Sequence, residues 1–207
     1  MLFRSPLRHE ISVIVALGRD GKGVHLPVQQ NLHRNGVLAV TQAPAPDVDA
    51  GTQQQAVAWA SQLAQALQYV GVLCVEFFVL QDGSLVANEM APRPHNSGHA
   101  TIDACDISQF ELQVRALTGA PLIAPREHSA SVMLNLLGDL WFTADGVERT
   151  PDWPSVLALP GSHLHLYGKA VARRGRKMGH LTLTGATPAQ ARVTALQAAQ
   201  CLGIEAF

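Results

Sequence analysis

Charge is the scarcest ingredient of this 207-residue chain: only 15% of its residues are Asp, Glu, Lys or Arg, and they sum to a net −1 with nine histidines counted neutral. No global field is therefore on hand to recruit nucleic acid or a membrane surface. Cysteine is nearly as sparse. Cys74, Cys105 and Cys201 are odd in number, widely spaced and set in apolar or helical surroundings. That suits reduced thiols in a cytoplasm rather than a disulfide frame or a zinc site. No apolar run approaches the ~18 residues of a membrane span, and the start, Met1 to Pro6, has no signal-peptide core. Glycine-rich phosphate loops are missing as well, since Gly18-Arg19-Asp20-Gly21-Lys22-Gly23 fits neither G-x-x-x-x-G-K-S/T nor G-x-G-x-x-G and reads as a hairpin turn. There are no internal repeats. What is plentiful is hydrophobic residue, 47%, enough for a sizeable core.

The predominantly apolar run Glu10 to Leu17 is of the kind buried inside a sheet, and so little chain precedes it that an upstream segment is expected to be missing. A short strand near Val24 to Val28, the Asn31-Leu32-His33 stretch and Val37 to Val40 follow. Apolar positions Ala56, Val57, Ala60, Leu63, Ala64, Leu67 and Val70 predict a helix from about Thr52 to Tyr69, capped by Asp49 or Thr52 and ended by Gly71. A second helix, Ser108 to Leu117, opens with a Ser108-x-x-Glu111 capping box and stops at Gly119. Beyond Pro121 to Pro125 come short strands, Ala130–Leu137, His163–Tyr167 and His180–Thr184, around an irregular stretch from Trp141 to Trp153. A last helix has Thr187 as cap and Pro188 at its first position, and runs to Leu202 before Gly203.

The chemistry gathers between the two helices. Val72 to Val79 and Leu85 to Glu89 are strand-like and flank Asp82-Gly83, a strong hairpin signal. A two-residue turn there places Glu76 directly opposite Glu89 on one face. Facing like charges destabilise a ladder by up to about 1 kcal/mol unless a cation lies between them, and magnesium is the natural one for carboxylates that also meet substrate phosphates. The alternative is a solvated hairpin with two unrelated glutamates, against which the apolar flanks argue. Next comes Arg93, whose guanidinium suits a planar anion such as bicarbonate or a phosphoryl group. Asn96-Ser97-Gly98-His99 adds donors and a glycine that permits close approach. Lys169, Arg173, Arg174, Arg176 and Lys177, interleaved with glycines, form a plausible phosphate seat, with a solvated turn as the other reading. His95 and His99 are four residues apart but lie in a Pro/Gly-stiffened loop and not on a helix, and His33 and His180 have no such neighbour, so no transition-metal site is expected.

Taken together, Asn88-Glu89-Met90-Ala91-Pro92-Arg93-Pro94-His95-Asn96-Ser97-Gly98-His99, the preceding Val75-Glu76-Phe77-Phe78, and His165 to Lys169 with Arg176 to His180 resemble the 5-(carboxyamino)imidazole ribonucleotide synthases, ATP-grasp ligases of purine biosynthesis. The resemblance runs nearly end to end. It implies an α+β fold: the C-terminal part of an ATP-grasp domain, an antiparallel sheet with helices, over residues 1–124, then a small β-rich domain over 125–207. It implies ATP and magnesium as cofactors, with Glu76 and Glu89 on the metal and Glu10, His33, Asn88 and Glu89 on the nucleotide. Arg93 and His99 would be catalytic, and Arg93, Asn96, Ser97, Gly98 and His99 would face bicarbonate and aminoimidazole ribonucleotide. Lys169, Arg176 and Lys177 would hold that ribonucleotide's phosphate. The implied reaction activates bicarbonate as carboxyphosphate and traps the carboxyl on the acceptor's amine, in a cytoplasmic homodimer that meets no nucleic acid or membrane. Three departures stand out. The N-terminal domain and the nucleotide-gripping segment have no counterpart here. Leu17 stands where an arginine is expected, and Ala91 stands where the wider superfamily often has asparagine, a variation this family shares. The alternatives are an ATP-grasp ligase with another acceptor, or a non-catalytic remnant that binds magnesium nucleotide.

Overall fold

The computed structural model describes residues 6–207, so all but the last residue of the start searched for a signal core lies outside the described residues. Strand β1 (Leu7–Leu17) is the spine of a nine-stranded sheet, with Ile11, Val13, Ile14, Val15, Ala16 and Leu17 at most 7% exposed. It pairs antiparallel with β2 (Gly23–His25) through the expected Gly18–Gly23 turn, with β3 (Gln29–Arg34), and along nearly its whole length with β5 (Gly71–Leu80). β2 is shorter than the Val24 to Val28 strand expected. The order is completed by β6 (Leu85–Ala91) outside β5 and, on the other side, β4 (Val37–Ala43), β7 (Ala130–Leu137), β9 (Lys177–Gly185) and β8 (Ser162–Leu166). Because β4 pairs with β7, the sheet runs unbroken across residue 124.

Helix α1 (Ala50–Ala66) and helix α5 (Pro188–Leu202) cover one face. Their buried stripes are almost all alanine, Ala56, Ala60 and Ala64 in one and Ala191, Ala195, Ala198 and Ala199 in the other, which lets each axis lie close to the strands. The opposite face holds α2 (Thr101–Ala104) and α3 (Gln109–Thr118), preceded by a 3-10 turn at Asn96–Gly98, where the sequence suggested only a loop. Helix α4 (Trp153–Leu157) begins at the last residue of the stretch read as irregular and was not expected from the sequence. Caps fall as expected for Asp49, Ser108, Gly119, Thr187 and Gly203. One end was misplaced. Helix α1 stops at Ala66, Gln68 takes the left-handed conformation with φ +48°, and Gly71, at φ +128°, opens β5 instead of closing the helix. Apolar periodicity ran on past the break because Leu67, Tyr69 and Val70 continue the pattern through the connection.

Directly paired residues on neighbouring strands share a face, so the register can be followed across the sheet. Glu89, Glu76, Ser12 and Gln29 form one such row, and Glu10, Asn31, Thr41, Met133, Thr182 and His163 form another. Both lie on the face of α2 and α3. That face is polar through its middle: Ser12, Gln29, Asn31, Thr41, Glu76 and Thr182 are all buried there. Ser12 Oγ donates to Ser97 Oγ (2.8 Å), Asn31 Nδ2 to Ser12 Oγ (3.0 Å) and Thr41 Oγ1 to Asn31 Oδ1 (3.0 Å). Such a buried network is favourable only when its members are satisfied, and it ties the 3-10 turn to the central strands.

Candidate metal and substrate site

Glu76 and Glu89 do face each other, by a route the sequence did not reveal. The turn has three residues, not two: Leu80 N–H donates to the Ser84 carbonyl (2.9 Å), leaving Gln81, Asp82 and Gly83 as the loop, with Gly83 at φ +83°. That turn alone would place Asn88 opposite Glu76. A bulge between Glu76 and Phe77 restores the pairing, because Phe77 faces Ala87 and Glu76 faces Glu89, leaving Asn88 as the extra residue. Glu76 is 8% exposed and its Oε1 has no hydrogen-bond partner among the described residues. Its carboxyl is pushed above the usual range first by burial, while His33 and Lys177 oppose the shift and Glu89 and Glu10 add to it. The nearest imidazole, His95, lies 3.8 Å from that oxygen, but burial and then Arg93 bring the His95 pKa down to about 4, so it brings no charge.

Glu10 and His33 meet directly through Oε2 and Nδ1. That contact holds His33 above the ordinary histidine value against its burial. A histidine raised in this way stabilises the fold below its ordinary pKa, and the contribution is lost as pH rises through the raised value. Glu10→Gln is therefore expected to lower the melting temperature most near about pH 6 and least above about pH 8, a difference of order 1 kcal/mol that a thermal-melt pH series measures. A hollow of about 580 Å³, lined by Leu7 to Glu10, Gln30 to His33 and Arg192 among others, opens at this end of the sheet and not between the paired glutamates.

The Arg93–His99 stretch crosses the same face. Arg93 is exposed and its Nη1 donates only to the neighbouring Pro94 carbonyl (3.1 Å). Asn96 is 8% exposed, yet neither its Oδ1 nor its Nδ2 has a partner among the described residues. Ser97 is fully buried on Ser12, and His95 Nδ1 lies 3.0 Å from Ser97 Oγ. From the other end of the sheet β9 brings Lys177. Its ammonium acts on Glu76, His33, His95 and His99, and burial followed by repulsion from Arg93 lowers its own pKa. Lys169 Nζ bonds the Lys177 carbonyl and lies 5.7 Å over the Tyr167 ring, while Arg176 Nη1 bonds the Val171 carbonyl (2.9 Å). Arg174 turns away to Asp139 and Phe142. The basic run thus divides, with Lys177 alone placed where its charge acts on Glu76.

With this geometry in place, the comparisons with known proteins are direct. The ATP-grasp domain matches residues 4–110, and the phosphoribosylaminoimidazole carboxylase C-terminal domain matches residues 131–194. The chain belongs to the ATP-grasp family. Among its ATP-grasp relatives, N5-carboxyaminoimidazole ribonucleotide synthase of Brucella melitensis is 47% identical over 173 residues, 84% of this chain and 45% of that protein. The Escherichia coli protein of the same name is 46% identical over 175 residues, again 84% and 45%. The crystal structure of the Thermus thermophilus synthetase superposes with TM-score 0.85 at 38% identity, covering 98% of this chain and 52% of that one. The Aspergillus clavatus synthase, in complex with ADP and 5-aminoimidazole ribonucleotide, superposes at 0.82 with 31% identity, covering 96% and 52%. The chain spans about half the length of the curated relatives it matches.

The face of α2 and α3 also brings together a cluster that the sequence reading did not assemble. Asp103, His165 and His180 each bring one ligand atom to within 4.8 Å of the others. His165 Nε2 bonds Asp103 Oδ2 (2.9 Å), and Tyr167 Oη meets His180 Nδ1 (3.0 Å). The His165 and His180 rings stack at 4.4 Å with planes 11° apart, so their in-plane lone pairs run side by side and do not converge on one ion. Residues directly opposite on β8 and β9 make this cluster, a long-range pairing that helical i, i+4 spacing does not test. Gln109, fully buried and bonded to both His95 and His99, was missed as well, because at the first position of a capped helix it looks like an ordinary surface residue. Among the described residues no helix is long and apolar enough to cross a membrane.

Proposed function

We propose that this chain forms the metal- and acceptor-binding half of a cytoplasmic ATP-grasp carboxyligase that carboxylates aminoimidazole ribonucleotide with bicarbonate, by way of carboxyphosphate, in purine biosynthesis. The observation that carries this reading is Glu76: a buried carboxylate with an unpartnered oxygen, directly opposite a second carboxylate, on a face that Lys177 and Arg93 also reach. An all-oxygen pair of acids beside cations fits magnesium with nucleotide phosphates. Glu76 and Glu89 would hold the ion, which when bound supplies positive charge for the transferring phosphoryl oxygens. Asn88 and Glu89, with the Glu10–His33 pair farther along the same face, would meet the nucleotide.

Bicarbonate oxygen attacks the γ-phosphorus as the bond to the β-γ bridging oxygen breaks, and ADP leaves with that electron pair. Arg93 would orient the planar anion. The carbon–oxygen bond of carboxyphosphate then breaks to give carbon dioxide and phosphate. The acceptor amine forms the new nitrogen–carbon bond and yields its proton to the phosphate just released. Lys169, Arg176 and Lys177 would hold the acceptor's own phosphate, and the unpaired amide of Asn96, with Ser97, Gly98 and His99, would face the reacting groups. Positioning and preorganised charge are what phosphoryl transfer chiefly needs.

The division at residues 124 and 125 belongs to the same reading, supported by two family matches on either side of it. So does a homodimer, supported by the exposed stripe Phe110, Val114 and Leu117 along α3. Light scattering on the purified chain tests the dimer. The activity test is phosphate release from magnesium-ATP and bicarbonate when the N-terminal half of a related synthase is added. Release that depends on aminoimidazole ribonucleotide and disappears in Glu89→Gln is expected. Release indifferent to the ribonucleotide would overturn the acceptor assignment.

A further inference from the structure

Gln109 uses every polar atom of its side chain. Its Oε1 accepts from the His95 backbone N–H (2.8 Å), and its Nε2 donates to the His95 carbonyl (2.7 Å) and meets His99 Nδ1 (2.9 Å). The two backbone groups leave no freedom in which end of the amide points where. A peptide N–H only donates and a carbonyl only accepts, so Oε1 must face the first and Nε2 the second. The second hydrogen of Nε2 then falls on His99 Nδ1, which must be the unprotonated nitrogen. The ring proton sits on Nε2.

We propose that Gln109 is a positioning residue that fixes His99 as the Nε2–H tautomer, so that the 95–99 turn presents a hydrogen-bond donor and not a base to the acceptor substrate. The proposal rests on the reading that this turn faces the acceptor. Three further observations fit. Gln109 is fully buried, and its own backbone N–H is fixed on Thr101 Oγ1 (3.1 Å), which in turn donates to the Gly98 carbonyl (2.6 Å). His99 is brought down to about 4, first by burial and then with the help of the nearby cations Lys177 and Arg93, so it stays neutral. The groups packed against it, Phe110, Tyr167 and His180, supply no carboxylate to reverse that. A neutral imidazole with its Nδ1 committed to an amide donor has one thing left to offer, the Nε2–H. It suits an oxygen bearing partial negative charge, such as a carboxyl oxygen in transfer.

The test is long-range proton–nitrogen NMR of the full chain with labelled histidine, peaks assigned with His99→Gln. The wild type is expected to show His99 with pyrrole-type Nε2 and pyridine-type Nδ1, unchanged from pH 8 to pH 5. Gln109→Glu replaces the donor by an acceptor, so the proton should move to Nδ1, inverting that pattern, and the His99 titration should move up toward the ordinary histidine value. A Gln109→Met chain of similar volume guards against misfolding as the cause: it should keep the fold and show a mixture of tautomers. A wild-type Nδ1–H form, or a pattern that Gln109→Glu leaves unchanged, overturns the proposal. These spectra require no turnover, so they stand apart from the complementation assay. If the tautomer shift is found and that assay gives no carboxylation, Gln109 still sets the imidazole and the assigned reaction is what fails.

Discussion

Glu76→Gln is expected to make the chain more stable and to abolish its stabilisation by magnesium with ADP. Glu76 is a buried acid whose Oε1 finds no donor, facing Glu89 across the ladder, with burial as the main cause of its raised pKa. A carboxylate in that setting costs stability, and a neutral amide of nearly the same shape costs less, so a gain of about 1 kcal/mol at neutral pH is expected. The pH dependence has a definite sign. A group whose folded pKa lies above its unfolded one contributes stability that is complete below the unfolded value and lost as pH rises through the folded value. The variant lacks that loss, so the two curves should coincide near about pH 4 and separate on the alkaline side. Ligand linkage runs the other way: magnesium nucleotide binds the ionised native site and stabilises the wild type alone. Glu89→Gln is the control, because Glu89 is exposed and should lose the ligand effect with a smaller gain in stability, that of the relieved repulsion alone. Urea unfolding at two pH values, with and without magnesium-ADP, measures all of this. Equal ligand stabilisation in wild type and Glu76→Gln would remove the metal from this pair.

Most of the scaffold could be read locally. Asp49, Ser108, Thr187 and Gly203 announce helix ends through their own side chains or conformations, and the buried run from Ile11 to Leu17 announces a central strand. What escaped was decided by partners far along the chain. The bulge at Asn88 exists because β6 must satisfy a three-residue turn at one end and the Glu76 pairing at the other. The β4–β7 seam joins residues roughly ninety positions apart, so no local pattern tells one sheet from two. The site divides the same way. The acids, Arg93 and Lys177 stand out by residue type, whereas Gln109 and Asp103 act through neighbours supplied by other elements.

Gly98→Ala is expected to damage fold and site together, by crowding and not by conformation. Gly98 is absent from the glycines of positive φ, and a Cβ there would lie 2.3 Å from Ile14 Cδ1 and 2.6 Å from Gln109 Oε1. Neither neighbour can yield freely. Ile14 is fully buried in the central strand among Ala16, Val72, Cys74 and Leu112, and Gln109 is held by three hydrogen bonds. The turn must therefore move off the sheet, loosening the grip of Gln109 on His95 and His99. Overpacking of this kind costs about 1–3 kcal/mol, and the strained hydrogen bonds add about 1 more. An ångström of misplacement at a reacting centre lowers turnover by about 10²-fold, so complemented carboxylation should fall that far even where the chain stays folded. A second substitution separates crowding from other causes. Ile14→Val removes the Cδ1 carbon that makes the closest clash and alone costs about 0.5–1.5 kcal/mol. The loss in the double variant should fall short of the sum of the two single losses by about 1 kcal/mol or more, the mark of a shared contact. Strict additivity in urea unfolding would mean that the turn is not wedged against Ile14, and that the small residue at position 98 serves something other than the close seating of His95 and His99 on β1.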